Sequence, residues 1–371
     1  MSSLSSFGTV PGRVTALRQA LAAHDPALDA LLVTDIGNVG YVSGFTGSTA
    51  QIIVTPDEAL FITDARYTLR AQSECAGFTV VQTPAGSGGY GDALRSALEA
   101  RPSIKRLGFE ANTVTVSQFG GFQALVPEIS WVATTEIIET LRLVKDAGEI
   151  ALIKNAITVA ETAMEQVKLL LKPGTREQDF ALELEFAMRR LGASGAAFDT
   201  IVASGANGAH PHHTSGPRPL VAGDLVTVDW GATVNGYHSD LTRTFAIGAV
   251  TDKQRDVYAI VWEAQRRAIA AIKPGKTGKE IDAIARDFIT ERGYGDAFGH
   301  SLGHSLGRSV HDGPGFSVRS EKLVLAPNMV MTVEPGIYLE GWGGLRLEED
   351  ILVTEDGCEV LTHLPNTLEV L

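Results

Sequence analysis

The chain has 371 residues, and its 44 acidic against 31 basic side chains give a formal net charge of −13. That length points to two domains, since single cores rarely grow past about 250–300 residues, and a hydrophobic content of 44% excludes a largely disordered chain. No Lys/Arg run is present to neutralise a row of phosphates, and no stretch approaches the ~18 apolar residues of a membrane span. Two cysteines, Cys75 and Cys358, are too few for a disulfide framework or a cysteine-built zinc site. The opening MSSLSSFGTVPGR has neither the basic nor the apolar region of a secretory signal. The expectation is a soluble cytoplasmic protein of a reducing compartment, with no nucleic acid and no membrane among its partners.

From about residue 13 to 140, short apolar runs alternate with helical segments. ALLVT (30–34), QIIVT (51–55), ALFIT (59–63), TVVQT (79–83) and RLGFE (106–110) read as strands, and a Pro-Asp-Glu turn makes a hairpin of the second and third. Helices are expected over 13–23, 64–75, 92–100 and 116–125, which gives an α/β domain. The Gly-rich stretch Gly86–Gly91 precedes a helix but lacks GxGxxG spacing after a clear strand, so it reads as a plain loop and not a phosphate cradle. The expected boundaries are 1–142 and 143–371.

The second segment opens with a long helical pattern through Ile150, Ile153, Ile157, Ala160, Met164, Val167 and Leu171. It then repeats itself. One helix ends at Lys172-Pro173-Gly174, and Thr175 with Gln178 forms the capping-box pattern of the next, which runs to Leu191. About 101 residues later a helix over 253–272 ends at Lys273-Pro274-Gly275, and Thr277 with Glu280 opens the next, running to about Arg292. Phe198 and Phe298 hold matching places. Each half then has an apolar strand ending in a carboxylate, DLVTVDWG with Asp229 and NMVMTVEPG with Glu334. The pattern is an internal duplication about a pseudo-two-fold, in which ligands from both halves converge on one site.

Asp229 and Asp240 lie on strands joined by Asn235-Gly236, the strongest short hairpin signal. A two-residue loop puts Asp229 opposite Thr242 and Asp240 opposite Gly231, so the aspartates are diagonal neighbours roughly 7–8 Å apart at Cα. Glu334 and Glu348 fall directly opposite each other about a turn centred on Gly341. Four converging carboxylates repel one another unless solvated or neutralised by divalent cations. Seven of the nine histidines cluster at 210, 212, 213, 238, 300, 304 and 311. His300 and His304 have i,i+4 spacing, but no HExxH glutamate accompanies them, which argues against a zincin. An imidazole with four carboxylates suits Mn²⁺, with Co²⁺, Zn²⁺ or Fe²⁺ as alternatives.

These residues resemble the pita-bread metallopeptidases, the group of methionine aminopeptidase, Xaa-Pro aminopeptidase (aminopeptidase P) and Xaa-Pro dipeptidase (prolidase). The family's ligand order, an Asp, an Asp eleven residues on, a His, then two Glu fourteen apart, is matched by Asp229, Asp240, His304, Glu334 and Glu348. SGANGAHPHH, GYHSDLTRTF, GHSLGRSVHD, TVEPGIY and GLRLEED match around them, across the whole second domain. GYVSGFTGS and ITDARYTLRAQ resemble the creatinase/prolidase N-terminal domain. The resemblance implies an α/β amino-terminal domain of that type, a pita-bread catalytic domain and a homodimer.

It also implies two divalent ions per chain. Asp229 binds one ion, Asp240 and Glu348 bridge both, and His304 and Glu334 bind the other; a hydroxide held between them attacks the carbonyl of the bond before proline. Glu334 shuttles the proton. His212, His300 and His311 face the substrate, His212 and His311 with a catalytic part, and Tyr338 and Arg346 join the substrate-binding set from positions behind the ligands. His210 and His213 read as bystanders. Prolyl bonds need such an enzyme because the tertiary amide has no N–H and proline fixes φ.

Two activities fit proline-containing peptides. A dipeptidase must grip the free carboxylate of its substrate, usually with arginine. After His311 no arginine occurs until Arg319, and Arg308 is the one candidate between the histidines. The GFTGS and TDARY segments look more like the smaller aminopeptidases P. The sequence therefore favours an Xaa-Pro aminopeptidase, with an Xaa-Pro dipeptidase as the alternative and a catalytically silent peptide-binding module of the same fold as the third reading.

Overall fold

The structure is a computed structural model that describes residues 10–85 and 89–371. The segment read for a secretory signal falls largely on residues 1–9, and Gly86–Gly88 of the Gly-rich stretch also lie outside the described residues. The chain divides into two compact units, Met1–Arg142 and Leu143–Leu371. Among the described residues no helix is long and apolar enough to cross a membrane.

The first unit is built on β1 (Ala30–Val33), β2 (Gln51–Val54), β3 (Ala59–Thr63), β4 (Thr79–Gln82), β5 (Arg106–Glu110) and β6 (Ser130–Thr134). They form one mixed sheet in the order β4-β3-β2-β1-β5-β6. The expected hairpin is present, with Gln51 opposite Ile62 and Val54 opposite Ala59. Side chains alternate across a strand, so the apolar runs feed two cores. Leu31, Val33, Ile52, Val54 and Phe61 face α1 (Val10–Ala23), α2 (Ile36–Ser43) and α3 (Thr68–Glu74). Leu32, Ile53, Leu60, Ile62 and Leu107 face α4 (Gly89–Glu99), and α5 (Val116–Leu125) packs Phe122 and Leu125 against the same core.

Continuous apolar strands without alternation are what a sheet covered on both faces requires. Three elements escape the periodicity reading: α2, β6 and α6 (Ile137–Leu143). Helix α2 carries two glycines and is buried from Asn38 to Ser43, so it shows no polar face; Asp35 caps it by accepting from the Asn38 N–H. Gly89–Gly91, expected as loop, is the first turn of α4.

The second unit repeats one plan. Its first half packs α7 (Ala147–Val167) and α8 (Glu177–Arg190) on β7 (Gly195–Ala196), β8 (Ile201–Ser204), β9 (Leu225–Trp230), β10 (Ala232–Val234), β11 (Tyr237–His238) and β12 (Leu241–Ala246). Its second half packs α9 (Asp252–Ala271) and α10 (Gly278–Glu291) on β13 (Val330–Val333), β14 (Gly336–Leu339), β15 (Gly343–Arg346), β16 (Glu349–Val353) and β17 (Cys358–Val360). Asn235 and Gly236 both have positive φ, 50° and 77°, as a type I′ turn demands. The resulting register pairs Thr242 with Asp229. In the second half Gly336 pairs with Arg346 and Val333 with Glu349, which sets Glu334 opposite Glu348 about Gly341.

The duplication breaks at the start of α8. The Thr277–Glu280 capping box forms, but the expected Thr175–Gln178 box does not. Arg176 is the N-cap residue of α8 and makes no side-chain cap. The Glu177 and Gln178 amides donate to the carbonyls of Arg218 and Gly216, each at 3.0 Å. Helix α10 has the same returning-segment bonds, from the Gly278 and Lys279 amides to the Leu323 and Ser320 carbonyls, and carries its capping box in addition.

Candidate metal and substrate site

The two long hairpins of the second unit end on one another. The Glu348 amide donates to Thr242 O at 3.1 Å, and Arg346 O accepts from Thr244 Oγ1 at 2.9 Å. That junction brings Asp229, Asp240, Glu334 and Glu348 together. His304 reaches them from the 298–316 loop, which is laid on β13 by the Thr332 amide donating to His304 O at 2.8 Å. A Cβ on Gly303 would run into the Thr332 carbonyl, so only glycine allows this approach.

One ligand atom each from Asp240, His304 and Glu348 lies within 4.8 Å of the others, a spacing able to hold a metal ion. His304 Nε2 is 3.4 Å from Asp240 Oδ2 and 3.5 Å from Glu334 Oε1. Its Nδ1 lies 3.2 Å from Ser305 O. A carbonyl only accepts, so Nδ1 carries the proton and Nε2 is left as the ligand atom. Asp229 is bound by Arg346, whose Nη2 donates to Asp229 Oδ2 at 2.6 Å. The same guanidinium donates to Tyr338 Oη at 2.9 Å and to Thr242 Oγ1 at 3.1 Å, and Thr242 in turn donates to Glu348 Oε2 at 2.7 Å.

The electrostatics ask for cations. Burial and then repulsion from Asp229, Asp350 and Glu334 hold the Asp240 carboxyl well above the usual range. Burial followed by Asp240, Glu334 and Asp229 does the same to Glu348. Burial raises Glu334, with His304 and Arg346 pulling against it. Asp229 Oδ1 and Glu348 Oε1 are buried acceptors with no donor. A fifth carboxylate, Asp350, is buried below them; its Oδ2 accepts from the Asp240 amide at 3.2 Å, its Oδ1 has no donor, and burial pushes it up as well. Ionised, five carboxylates against one guanidinium leave four negative charges, the charge that two divalent ions would cancel. Unmet acceptors, oxygen-rich donors and one imidazole with a free Nε2 together fit a pair of hard or borderline divalent ions.

A cavity of about 850 Å³ opens over this cluster. Asp229, Asp240, Glu334, Glu348 and His304 line its floor, with His212, His213, His300, His311 and Arg346 around them. His300 Nδ1 is bound to Ser301 O and its Nε2 to Tyr338 Oη at 2.9 Å; burial first, and then Arg346, lowers its pKa to about 4, so it enters as a neutral imidazole. The His311 ring lies 4.2 Å from that of His304 and is also lowered, by burial and by His304. Tyr338 reaches the cavity only through His300 and Arg346. Phe198 lines the outer wall with Leu182 and Val310, whereas its repeat partner Phe298 is core.

Arg308 is not among the lining residues: its guanidinium lies over the Tyr237 ring, 5.4 Å from the centroid. His210 is exposed and also off the cavity, but His213 lines it and is tied to the buried Glu177 at 2.8 Å. Asp350, beneath the cluster, and Glu177, bound to His213, are buried carboxylates near the site that sequence reasoning overlooked. Alternation along β16 carried the signal for Asp350, because residues 348 and 350 share a face.

Residues 151–355 match the family described as metallopeptidase family M24, and residues 13–144 match the creatinase/prolidase N-terminal domain. The chain belongs to metallopeptidase family M24. An Xaa-Pro dipeptidase from Bacillus anthracis superposes with a TM-score of 0.93 at 40% identity, covering 98% of this chain and 100% of that one. An X-Pro aminopeptidase from Thermotoga maritima gives a TM-score of 0.87 at 41% identity over 93% and 98% of the two chains. The Xaa-Pro dipeptidase of Pyrococcus furiosus is 37% identical over 92% of this chain and 95% of its own length. The M24 unit accordingly has the pita-bread fold, and the duplicated halves described above are its two sides.

Proposed function

We propose that this M24 peptidase is a dinuclear-metal Xaa-Pro dipeptidase. The observation that carries the metallopeptidase part is the buried cluster of Asp240, His304 and Glu348 with acceptors left unmet beneath an open cavity. The dipeptidase part draws support from the relatives named for that activity, which shifts the balance from the aminopeptidase that the sequence segments favoured.

Asp229, Asp240, His304, Glu334 and Glu348 would hold the ions, Asp240 and Glu348 serving both, and the oxygen-rich donor set suits Mn²⁺. When bound, such a pair supplies Lewis acidity and lowers the pKa of water toward neutrality. The chain's own groups do the rest. Glu334 opens on the cavity and takes a proton from the attacking water, then returns one to the proline nitrogen, which must be protonated to leave. His311 and His212 offer imidazole N–H groups to the scissile carbonyl and the proline. The His300–Tyr338–Arg346 chain fixes the Asp229 side of the floor. None of these contacts needs an N–H from the bond being cut.

One structural observation favours the aminopeptidase as a second reading. Among the described residues Arg346 is the only Arg or Lys lining the cavity, and it is engaged by Asp229. A dipeptide's terminal carboxylate would therefore meet imidazoles and neutral polar groups such as Thr214 and Ser301, with no uncommitted cationic side chain. The T. maritima neighbour points the same way. The test is a direct comparison of Xaa-Pro with Xaa-Pro-Yaa and longer peptides in the presence of Mn²⁺. Preferential turnover of the dipeptide is expected; cleavage of the longer peptides with the dipeptide untouched would overturn the dipeptidase in favour of the aminopeptidase. In the same assay Arg308→Ala should leave the dipeptide-to-tripeptide ratio unchanged, because Arg308 sits off the cavity. A selective loss on the dipeptide would give it the carboxylate.

A further inference from the structure

Glu177 is fully buried at the first turn of α8, outside the metal cluster. Its carboxylate collects donors from a single stretch of chain. Ser204 gives its N–H at 2.9 Å and its hydroxyl at 2.6 Å, Asn207 its side-chain amide at 3.0 Å, His213 its Nε2 at 2.8 Å and Gly216 its N–H at 3.3 Å. Burial pushes this carboxyl up, but the donors from Ser204, His213 and Asn207 outweigh it and hold it below the ordinary range, so it stays ionised.

These donors flank His212 on both sides in sequence. The same stretch is pressed from the other side by the second half. A Cβ on Gly208 would lie 2.9 Å from Gly344 O, and Arg346 Nη1 donates to Pro211 O at 3.3 Å. The helix terminus below is committed as well, since Gly216 O and Arg218 O take the first-turn amides of α8. This is the point at which the internal repeat gives up its capping box. Where α10 has an exposed Thr277–Glu280 cap, α8 has no side-chain cap, and its first residue is a buried acid whose hydrogen-bond donors lie on the 204–216 segment.

We infer that Glu177 is the positioning residue of His212: it fixes the 204–216 segment, with His213 as one of its tethers, so that the His212 imidazole is presented to the substrate. The inference rests on the reading of His212 as a substrate-facing group. It also gives His213 a role that does not require contact with substrate.

The test uses the full chain loaded with Mn²⁺, with Glu177→Gln made in the wild-type and His212→Ala backgrounds. Gln keeps the volume but removes the charge and leaves one acceptor oxygen where the carboxylate has two, with an N–H₂ facing the Gly216 N–H or the Ser204 N–H. In the wild-type background kcat/KM for the peptide that the enzyme turns over should fall about 10–100-fold, as for other groups that orient a site residue. In the His212→Ala background the further loss should be under about twofold. Backbone amide exchange should quicken over 204–216 while β9 and β12 keep their protection. His213→Ala, a milder change at a partly exposed tether, should move both readouts in the same direction.

Equal losses in the two backgrounds, or faster exchange spread through β9 and β12, would reduce Glu177 to a general stabiliser and overturn the inference, as would unchanged activity. Should the wild-type protein cleave neither Xaa-Pro nor Xaa-Pro-Yaa, the peptidase reading fails separately. The exchange pattern then decides whether Glu177 holds the segment.

Discussion

Asp240→Asn is expected to remove hydrolysis of every Xaa-Pro substrate while the M24 unit stays folded. Asp240 is 5% exposed at the centre of the carboxylate cluster, within metal-ligand distance of both His304 and Glu348. Losing a ligand shared by both ions should cost more than the about 10–100-fold typical of residues that merely support ligands. The structural cost is small for a clear reason. Asn matches Asp in shape, the Asp240 backbone N–H keeps its bond to Asp350, and the repulsion that Asp240 feels from Asp229, Asp350 and Glu334 disappears. The measurement pairs kcat/KM with metal content per chain and the thermal midpoint. The expected result is loss of activity and bound metal, with a midpoint for the metal-free variant at or above that of the metal-free wild type. Activity within tenfold of wild type would refute the ligand assignment.

How much of this site is legible in the sequence depends on whether a residue's place is set by local or by long-range geometry. Asn235-Gly236 dictates a type I′ turn, and the turn fixes the register that sets Asp229 opposite Thr242. The centring of Glu334 and Glu348 on Gly341 works in the same way. Those four carboxylates needed only strand alternation and two turns.

The histidine loop is different. Neither the i,i+4 spacing of His300 and His304 nor the glycines between them states that Gly303 lies against the Thr332 carbonyl, which is what delivers His304 to the cluster. Arg308 lies off the cavity for a similar reason. Its spacing between two site histidines is local, but the Tyr237 face that holds it is remote in sequence. Glu177 was hidden by a pattern that pointed elsewhere. Thr175 and Gln178 have capping-box spacing, but α8 starts one residue later, with Arg176 at the N-cap, and Glu177 turns inward to donors from 204–216 that are remote in sequence. In the first unit, α2 was missed because a helix buried from Asn38 to Ser43 has no amphipathic period to read.

The metal-free protein should lose stability as pH rises, the reverse of ordinary acid denaturation. In the unfolded chain Asp240, Glu334, Glu348 and Asp350 titrate near the ordinary ~4. Folded without cations, all four are held above their ordinary values, burial being the largest cause in each case. Between the unfolded and folded values the folded state binds more protons than the unfolded one. Unfolding free energy therefore falls as pH rises through that window, and the stability that is present below about pH 4 is lost. Divalent ions reverse the trend because they bind the carboxylates that protons otherwise occupy. A ligand at 1,000 times its Kd adds about 4.1 kcal/mol to the folded state. Thermal midpoints of chelator-treated and Mn²⁺-loaded protein, measured from about pH 5 to pH 8, should diverge with increasing pH. Asp240→Asn should flatten the metal-free curve, since it removes one of the four groups and weakens the field on Glu348. A metal-free midpoint that holds level or climbs over that range, with no widening on addition of Mn²⁺, would mean that the buried carboxylates are not arranged around cations.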